Sequence, residues 1–188
     1  MKYFKELDLP YFDLYSEYKK LLSEEKIYWS TNQISITTTK DKPDDFIYGC
    51  GSLDLDWSNA KEYTDENGET QMDVPQRVPA LKESDFTEVV EVFKNTLFED
   101  CVTEIRKNYT TGRIRLMQNH TRNCMSWHYD YSQRIHYPLK TQEGCIMVIE
   151  DEVKHLDANK WWQTDTTKMH TAFNGSRSNR IHLVVNLL

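Results

Sequence analysis

With 188 residues, 38% of them hydrophobic and 28% charged, the chain is long enough to bury a core around one enclosed site, short for two independent units, and too apolar for a disordered chain. Its 23 Lys and Arg against 30 Asp and Glu give a formal charge of −7, a field that repels a phosphate backbone, so nucleic acid is not an expected partner. Net charge says nothing against a local basic pocket for a small dianion.

The N-terminus, MKYFKELDLPYFDL, lacks the uninterrupted apolar core of a signal peptide, and no run approaches the roughly 20 apolar residues of a membrane span. A cytoplasmic protein with no membrane partner is expected. Leu14, Tyr18, Leu21 and Leu22 share one side of a helix predicted over Tyr11 to Ser23, and strands are predicted around Gln33 to Thr39 and Phe46 to Gly51. The polar stretch Trp57 to Gln76, with its Asn67-Gly68 turn signal, reads as a surface loop and, by length and polarity, as a lid candidate. Ser84 as a cap, acidic residues in the first turns and the stripe Val89, Val92, Phe93, Thr96 and Leu97 predict a scaffold helix over Ser84 to Phe98.

From Gly112 the pattern changes to short strand-like runs: Arg113 to Gln118, Met125 to Tyr131, Arg134 to Leu139, Cys145 to Glu150, His155 to Asp157, Lys168 to Phe173 and Arg180 to Leu187. Seven strands in about 75 residues point to a mainly β fold, a double-stranded β-helix or cupin-like jelly-roll, with the N-terminal helices packed outside. The domain reading is one unit, 1–188, in which 1–111 supplies helices and supporting strands and 112–188 the metal-binding half. Cys50, Cys101, Cys124 and Cys145 are irregularly spaced with no CxxC pair, which argues against a zinc finger or redox motif and for reduced, mostly buried thiols.

His128 and Asp130 are two apart, so on a strand they point to one face and can share a metal. The third ligand must come from elsewhere, and His170 sits on a later predicted strand. Two imidazoles and one carboxylate leave coordination positions open, the arrangement non-haem iron(II) uses for an organic cosubstrate and O₂; zinc with the same ligands could hydrolyse or hold structure. Arg180 lies ten residues past His170, across an Asn174-Gly175-Ser176 turn, where a strand returning alongside would let its guanidinium take the far carboxylate of a keto dicarboxylic acid. Arg134 and His136 also alternate and add two donors to the same interior if their strand is adjacent.

At these residues the chain resembles the 2-oxoglutarate/iron(II) oxygenases, specifically their aspartyl/asparaginyl β-hydroxylase branch. The resemblance covers roughly Arg113 to Asn186, in the order strand, His-x-Asp, Arg-x-His-x-Pro-Leu, distal His, then Arg ten residues on. It implies that His128, Asp130 and His170 bind Fe(II), that Arg180 binds the C5 carboxylate of 2-oxoglutarate, and that Arg134 and His136 help hold this cosubstrate. It further implies conversion of 2-oxoglutarate to succinate and CO₂ with O₂, hydroxylation of an unactivated C–H bond, and ascorbate as a candidate addition. The best-known aspartyl/asparaginyl hydroxylases lack the carboxylate ligand, whereas Asp130 is present here, as in related hydroxylases of free proline. The implied substrate is therefore an amino acid, either peptidyl or free.

Two other readings fit the residues: a cupin-like metalloenzyme that does not use 2-oxoglutarate, and a non-catalytic jelly-roll that binds a small acid or a partner protein. His120 and His155 read as ordinary surface or core histidines, and Arg177 as a turn residue. His182 alternates with Arg180 but is assigned no role. Arg113 and Arg115 are read as structural, and Trp127, Tyr129, Tyr131, Trp161 and Trp162 as packing area with one or two lining a pocket.

Overall fold

Alternation of side chains decides the C-terminal half. In the computed structural model, which describes residues 1–78 and 80–188, Ile114, Leu116, Ile135, Tyr137, Leu139, Ile181, Leu183 and Val185 are buried in one apolar cluster. Arg113, Arg115, Arg134, His136, Arg180 and His182 take the intervening positions, on the opposite face of the same strands.

In chain order the strands are β1 (Phe4–Leu7), β2 (Gln33–Ser35), β3 (Thr37–Thr38), β4 (Lys61–Thr64), β5 (Thr70–Asp73), β6 (Glu88–Val89), β7 (Thr111–Asn119), β8 (Asn123–Cys124), β9 (Arg134–Lys140), β10 (Cys145–Ile149), β11 (Glu152–Lys154), β12 (Trp161–Thr164), β13 (His170–Asn174) and β14 (Arg180–Leu187). The helices are α1 (Leu14–Ser23) and α2 (Leu97–Asn108). A six-stranded antiparallel sheet runs β1-β12-β9-β14-β7-β2, and a four-stranded one runs β11-β10-β13-β8. In the larger sheet β14 lies between β7 and β9, with Val184 opposite both Arg115 and His136 and with His182 opposite Met117.

Leu14, Tyr18 and Leu21 of α1 and Phe98, Cys101, Val102 and Ile105 of α2 join the apolar cluster on the outer face of the large sheet. A smaller cluster draws Phe4 and Trp162 from the large sheet and Met147, Ile149 and Ala172 from the small one, so it seals the space between them. This is the mainly β jelly-roll with helices outside that the strand pattern predicts.

Several elements differ from expectation. Ser84 to Phe98 is not a helix: 3₁₀ turns at Glu83–Asp85 and Glu91–Phe93 flank β6, and Val90 N–H bonds to the Ile36 carbonyl at 3.0 Å. The β-branched residues Val89, Val90 and Val92 disfavour a helix here, and the helix forms later. It starts behind Thr96, whose hydroxyl accepts the Phe98 N–H at 3.1 Å, with Glu99 and Asp100 in its first turn and Arg106 and Lys107 in its last. Phe46 to Gly51 is turn rather than strand, because the Asp45 carboxylate accepts the Ile47 and Tyr48 N–H groups and Gly49 and Gly51 take positive φ. Trp57 to Gln76 carries an exposed hairpin, β4 and β5, across the Asn67-Gly68 turn. The strand expected at His155 to Asp157 is instead β11, and β1 and β12 were not anticipated.

Candidate metal centre

His128 and His170 meet through a β-bridge: His128 N–H donates to the His170 carbonyl at 3.0 Å, and His170 N–H to the His128 carbonyl at 2.8 Å. Around it, Met125 to Tyr131 is not the continuous strand expected. The chain leaves β8 and is irregular until β9, because Trp127, Tyr129 and Tyr131 find no cover and stand exposed. Asp130 is fixed by its own N–H to the Thr166 carbonyl at 2.8 Å. One ligand atom from each of His128, Asp130 and His170 lies within 4.8 Å of the other two.

Both imidazoles are oriented from behind. His128 Nδ1 is 2.7 Å from the Ser126 carbonyl and His170 Nδ1 is 2.9 Å from the Lys168 carbonyl. A carbonyl only accepts, so each Nδ1 carries the hydrogen and each Nε2 offers a lone pair. Asp130 Oδ1 accepts from Arg134 Nη2 at 2.6 Å, while Oδ2 is buried, lacks a hydrogen-bond partner and lies 3.5 Å from His170 Nε2. Burial holds the His170 pKa below its ordinary value. An orphaned carboxylate oxygen beside two imidazole lone pairs is a donor set suited to a divalent transition metal.

Two cavities meet at these residues. The outer one, about 690 Å³, takes in His128, Asp130, Arg115, Glu83 and Asn186. The inner one is about 30 Å³ and is lined by His170, Arg180, His136 and His182, among others. Met117, Met125 and Arg134 line both. The inner space admits about one water, so a carboxylate reaching Arg180 requires these junction side chains to move.

Arg180 is 8% exposed, its Nε has no partner, and it pairs with no carboxylate among the described residues. Burial brings its pKa down to about 10. Such a group is stable in the fold only with an anion or water at hand, so the site fits a bound acid as well as a metal. β14 does not run beside β13 as the turn suggested; it crosses to the facing sheet and brings Arg180 in from there. His136 and His182, with Nδ1 atoms 3.5 Å apart, are pushed well below the usual histidine range, by burial first and by the neighbouring guanidinium groups second.

The structure therefore brings His128, Asp130, His170, Arg180, Arg134 and His136 to one place. Arg134 grips Asp130 in addition to lining both cavities. His182 also faces the site, as its alternation with Arg180 allowed. Sequence reading missed Glu83, whose carboxylate accepts from Arg113 Nε at 3.0 Å, Arg113 Nη2 at 2.8 Å and Asn186 Nδ2 at 2.7 Å. Burial raises its pKa, and the Arg113 bonds and charge outweigh this and leave it below the ordinary value. Asn186 could have been found by parity with Arg180 and His182, whereas nothing local marks Glu83. Trp161 and Trp162 are buried packing; Tyr131 edges the outer cavity.

A family model described as aspartyl/asparaginyl beta-hydroxylase matches residues 13–188. The L-proline cis-4-hydroxylase of Rhizobium meliloti (strain 1021) is 30% identical over 81 residues, 40% of this chain, and the chain spans 28% of that relative's length. Among solved structures, the viral collagen prolyl hydroxylase vCPH from Paramecium Bursaria Chlorella virus-1, in a 2OG complex, has a TM-score of 0.44 at 8% identity, covering 98% of this chain and 97% of that one. AviO1 from Streptomyces viridochromogenes Tue57 has a TM-score of 0.44 at 11% identity, covering 97% and 88%. The family match takes in both helices, every strand after β1 and all of His128, Asp130 and His170, and the chain belongs to the aspartyl/asparaginyl β-hydroxylase family.

Proposed function

We propose that this protein is an Fe(II)/2-oxoglutarate-dependent dioxygenase that hydroxylates an amino acid, with 2-oxoglutarate converted to succinate and CO₂. The observation that carries the reading is the convergence of His128, Asp130 and His170 beside the buried, unpaired guanidinium of Arg180. His128, Asp130 and His170 hold the metal, Arg180 holds the far carboxylate of the keto acid, and His136 and Arg134 border its path. When bound, iron and keto acid supply the oxidising power for attack on a C–H bond.

The chain's own residues orient and exclude water. Ser126 and Lys168 carbonyls fix both imidazole rings, and Arg134 turns one Asp130 oxygen away and leaves the other for the metal. Family membership and the partial likeness to a proline hydroxylase favour hydroxylation over other cupin chemistry. The working organisation is one domain, 1–188, with the ligands in 112–188. Four free cysteines, and the lack among described residues of a helix long and apolar enough to cross a membrane, support a cytoplasmic setting. Ascorbate enters only as a reductant that keeps iron ferrous.

Succinate formation from 2-oxoglutarate, dependent on added iron(II), tests the reading. The expected result is turnover abolished in His128→Ala and His170→Ala while circular dichroism is unchanged; succinate formation surviving both changes contradicts it. A metalloenzyme of the same fold that does not use 2-oxoglutarate would keep metal binding and show no effect of Arg180→Ala on keto-acid binding.

A further inference from the structure

The two cavities differ in charge. The outer one has Asp54, Glu83 and Asp130 on its wall among the guanidinium groups. Arg115 there pairs with no carboxylate among the described residues, yet donates to the amide oxygens of Gln33 at 2.8 Å and Asn186 at 3.3 Å. The inner cavity is lined by Arg134, His136, His170, Arg180 and His182 together with Thr166 and apolar side chains, and by no carboxylate among the described residues. Three nitrogens of these residues, Arg180 Nε, His136 Nε2 and His182 Nε2, are buried without a hydrogen-bond partner.

His136 on β9 and His182 on β14 form a pair. Their rings stand at 80° with centroids 5.7 Å apart, and their Nδ1 atoms are 3.5 Å apart, the outer limit for a hydrogen bond. Two facing lone pairs repel, so one Nδ1 carries the hydrogen and the other accepts it. A neutral imidazole has a single N–H, so the ring that accepts at Nδ1 carries its hydrogen at Nε2, and the ring that donates has a bare Nε2. While neutral, the pair has one Nε2 donor and one Nε2 acceptor. One added proton keeps the Nδ1 bond and makes both Nε2 atoms donors.

The groups around the pair are Arg180 on β14, Arg134 on β9, His170 on β13, the Cys145 thiol on β10, and His155, whose Nδ1 is 2.8 Å from the Cys145 carbonyl. β7 and β12 set the uncharged Met117 and Trp162 opposite it. Burial first, then the Arg180 and Arg134 guanidinium groups, keep both rings neutral at pH 7. A carboxylate seated on Arg180 cancels the nearest of those charges, and an opposite charge within about 4–6 Å favours the protonated ring. A carboxylate only accepts, so a bare Nε2 beside it would set lone pair against lone pair.

We infer that the His136–His182 pair takes up one proton from solvent when a dicarboxylic keto acid binds against Arg180, so that the cosubstrate enters as a dianion plus a proton. His182 is a positioning residue in this device: it holds His136 through the Nδ1 bond and shares the added charge. The inference rests on the proposed oxygenase reading, in which Arg180 takes the far carboxylate of 2-oxoglutarate. Because the proton is gained only in the complex, a higher pH weakens binding of the acid.

The test is calorimetry of 2-oxoglutarate binding to the zinc(II)-loaded full chain at pH 7, in three buffers of different ionisation enthalpy, which counts the protons exchanged. The expected uptake is about one proton per acid bound, with Kd rising roughly threefold or more from pH 6.5 to 7.5. His182→Leu should still bind the acid and take up less than about half as much. A net exchange near zero in the unaltered protein, a Kd indifferent to pH, or the same uptake in His182→Leu overturns the inference. If His182→Leu does not fold, nitrogen NMR of the unaltered protein with labelled histidine rings decides: both Nε2 atoms of the pair should be protonated with the acid bound and only one without it, and an unchanged spectrum contradicts the proposal. Absence of 2-oxoglutarate binding by the unaltered protein would instead overturn the oxygenase reading.

Discussion

Glu83 shows how one residue outside the His128, Asp130 and His170 cluster can hold a wall of the cavity. Its carboxylate takes the Arg113 backbone N–H at 2.9 Å as well as three side-chain donors, and a Cβ on Gly112 would sit 2.7 Å from Glu83 Cβ. Glu83→Ala would leave the buried Arg113 guanidinium without its counter-ion, a loss of about 3 kcal/mol by the usual cost of breaking a buried pair. Urea denaturation measures it, and a loss under about 1 kcal/mol would mean that water replaces the carboxylate. Glu83 and the two buried histidines also set a pH dependence. The histidines His136 and His182 have lowered pKa values in the fold, so the unfolded chain binds more protons as the pH falls below the ordinary 6.5. Stability is full above that value and drops beneath it. The Glu83 pKa is also lowered, so its contribution is present above 4.5 and is lost only as the pH falls through its folded value. Urea midpoints should therefore decline between pH 7 and pH 5.5, less steeply in His182→Leu, and fall again below pH 4.5, less so in Glu83→Gln. A flat profile from pH 7 to 5 would show that the histidines are solvated.

At the scale of elements, the helix α2 depends on its cap. Removing the Thr96 hydroxyl, which accepts from Phe98 N–H, is expected to cost about 1 kcal/mol, read as a shift in the urea midpoint of Thr96→Ala. No shift would place the start of the helix under the control of Phe98 burial alone. This helix also shows what the sequence conceals. Its apolar stripe is visible, yet the run from Ser84 carries a comparable stripe, and only the pairing of Val90 with Ile36 and the capping at Thr96 decide between them. β7, β9 and β14 were legible because alternating residues face an apolar cluster on one side and a polar site on the other, and β10 because Cys145–Ile149 is a short continuous apolar run. β12 was not, since Trp161 and Trp162 are both buried, one in each cluster, and so do not alternate. The cluster of His128, Asp130 and His170 could be read because His-x-Asp is a local pattern and His170 begins a strand. The Arg113–Glu83 pair spans 30 residues of sequence and the unpaired state of Arg115 depends on what surrounds it, so neither has a local signature.

At the scale of the molecule, the cluster of His128, Asp130 and His170 lies between an inner cavity ending at Arg180 and an outer one beside Arg115. A metal that binds only the folded chain stabilises it by mass action, about 2.7 kcal/mol at a hundredfold excess over Kd. Added zinc(II) should thus raise the melting temperature of the protein and leave that of His170→Ala unchanged; an equal rise in both would place the metal elsewhere. Seating an acid against Arg180 requires Met117, Met125 and Arg134 to move, so the cosubstrate should bind more weakly in the absence of metal, where nothing draws its keto acid end to the cluster. The measurement that bears most directly on the whole account is anaerobic titration of the iron(II)-loaded protein with 2-oxoglutarate, followed by visible absorption. The predicted result is a weak, saturable charge-transfer band of a chelated keto acid, lost or shifted to much higher concentration in Arg180→Ala. Iron bound without any such band, or a band indifferent to Arg180, would contradict it.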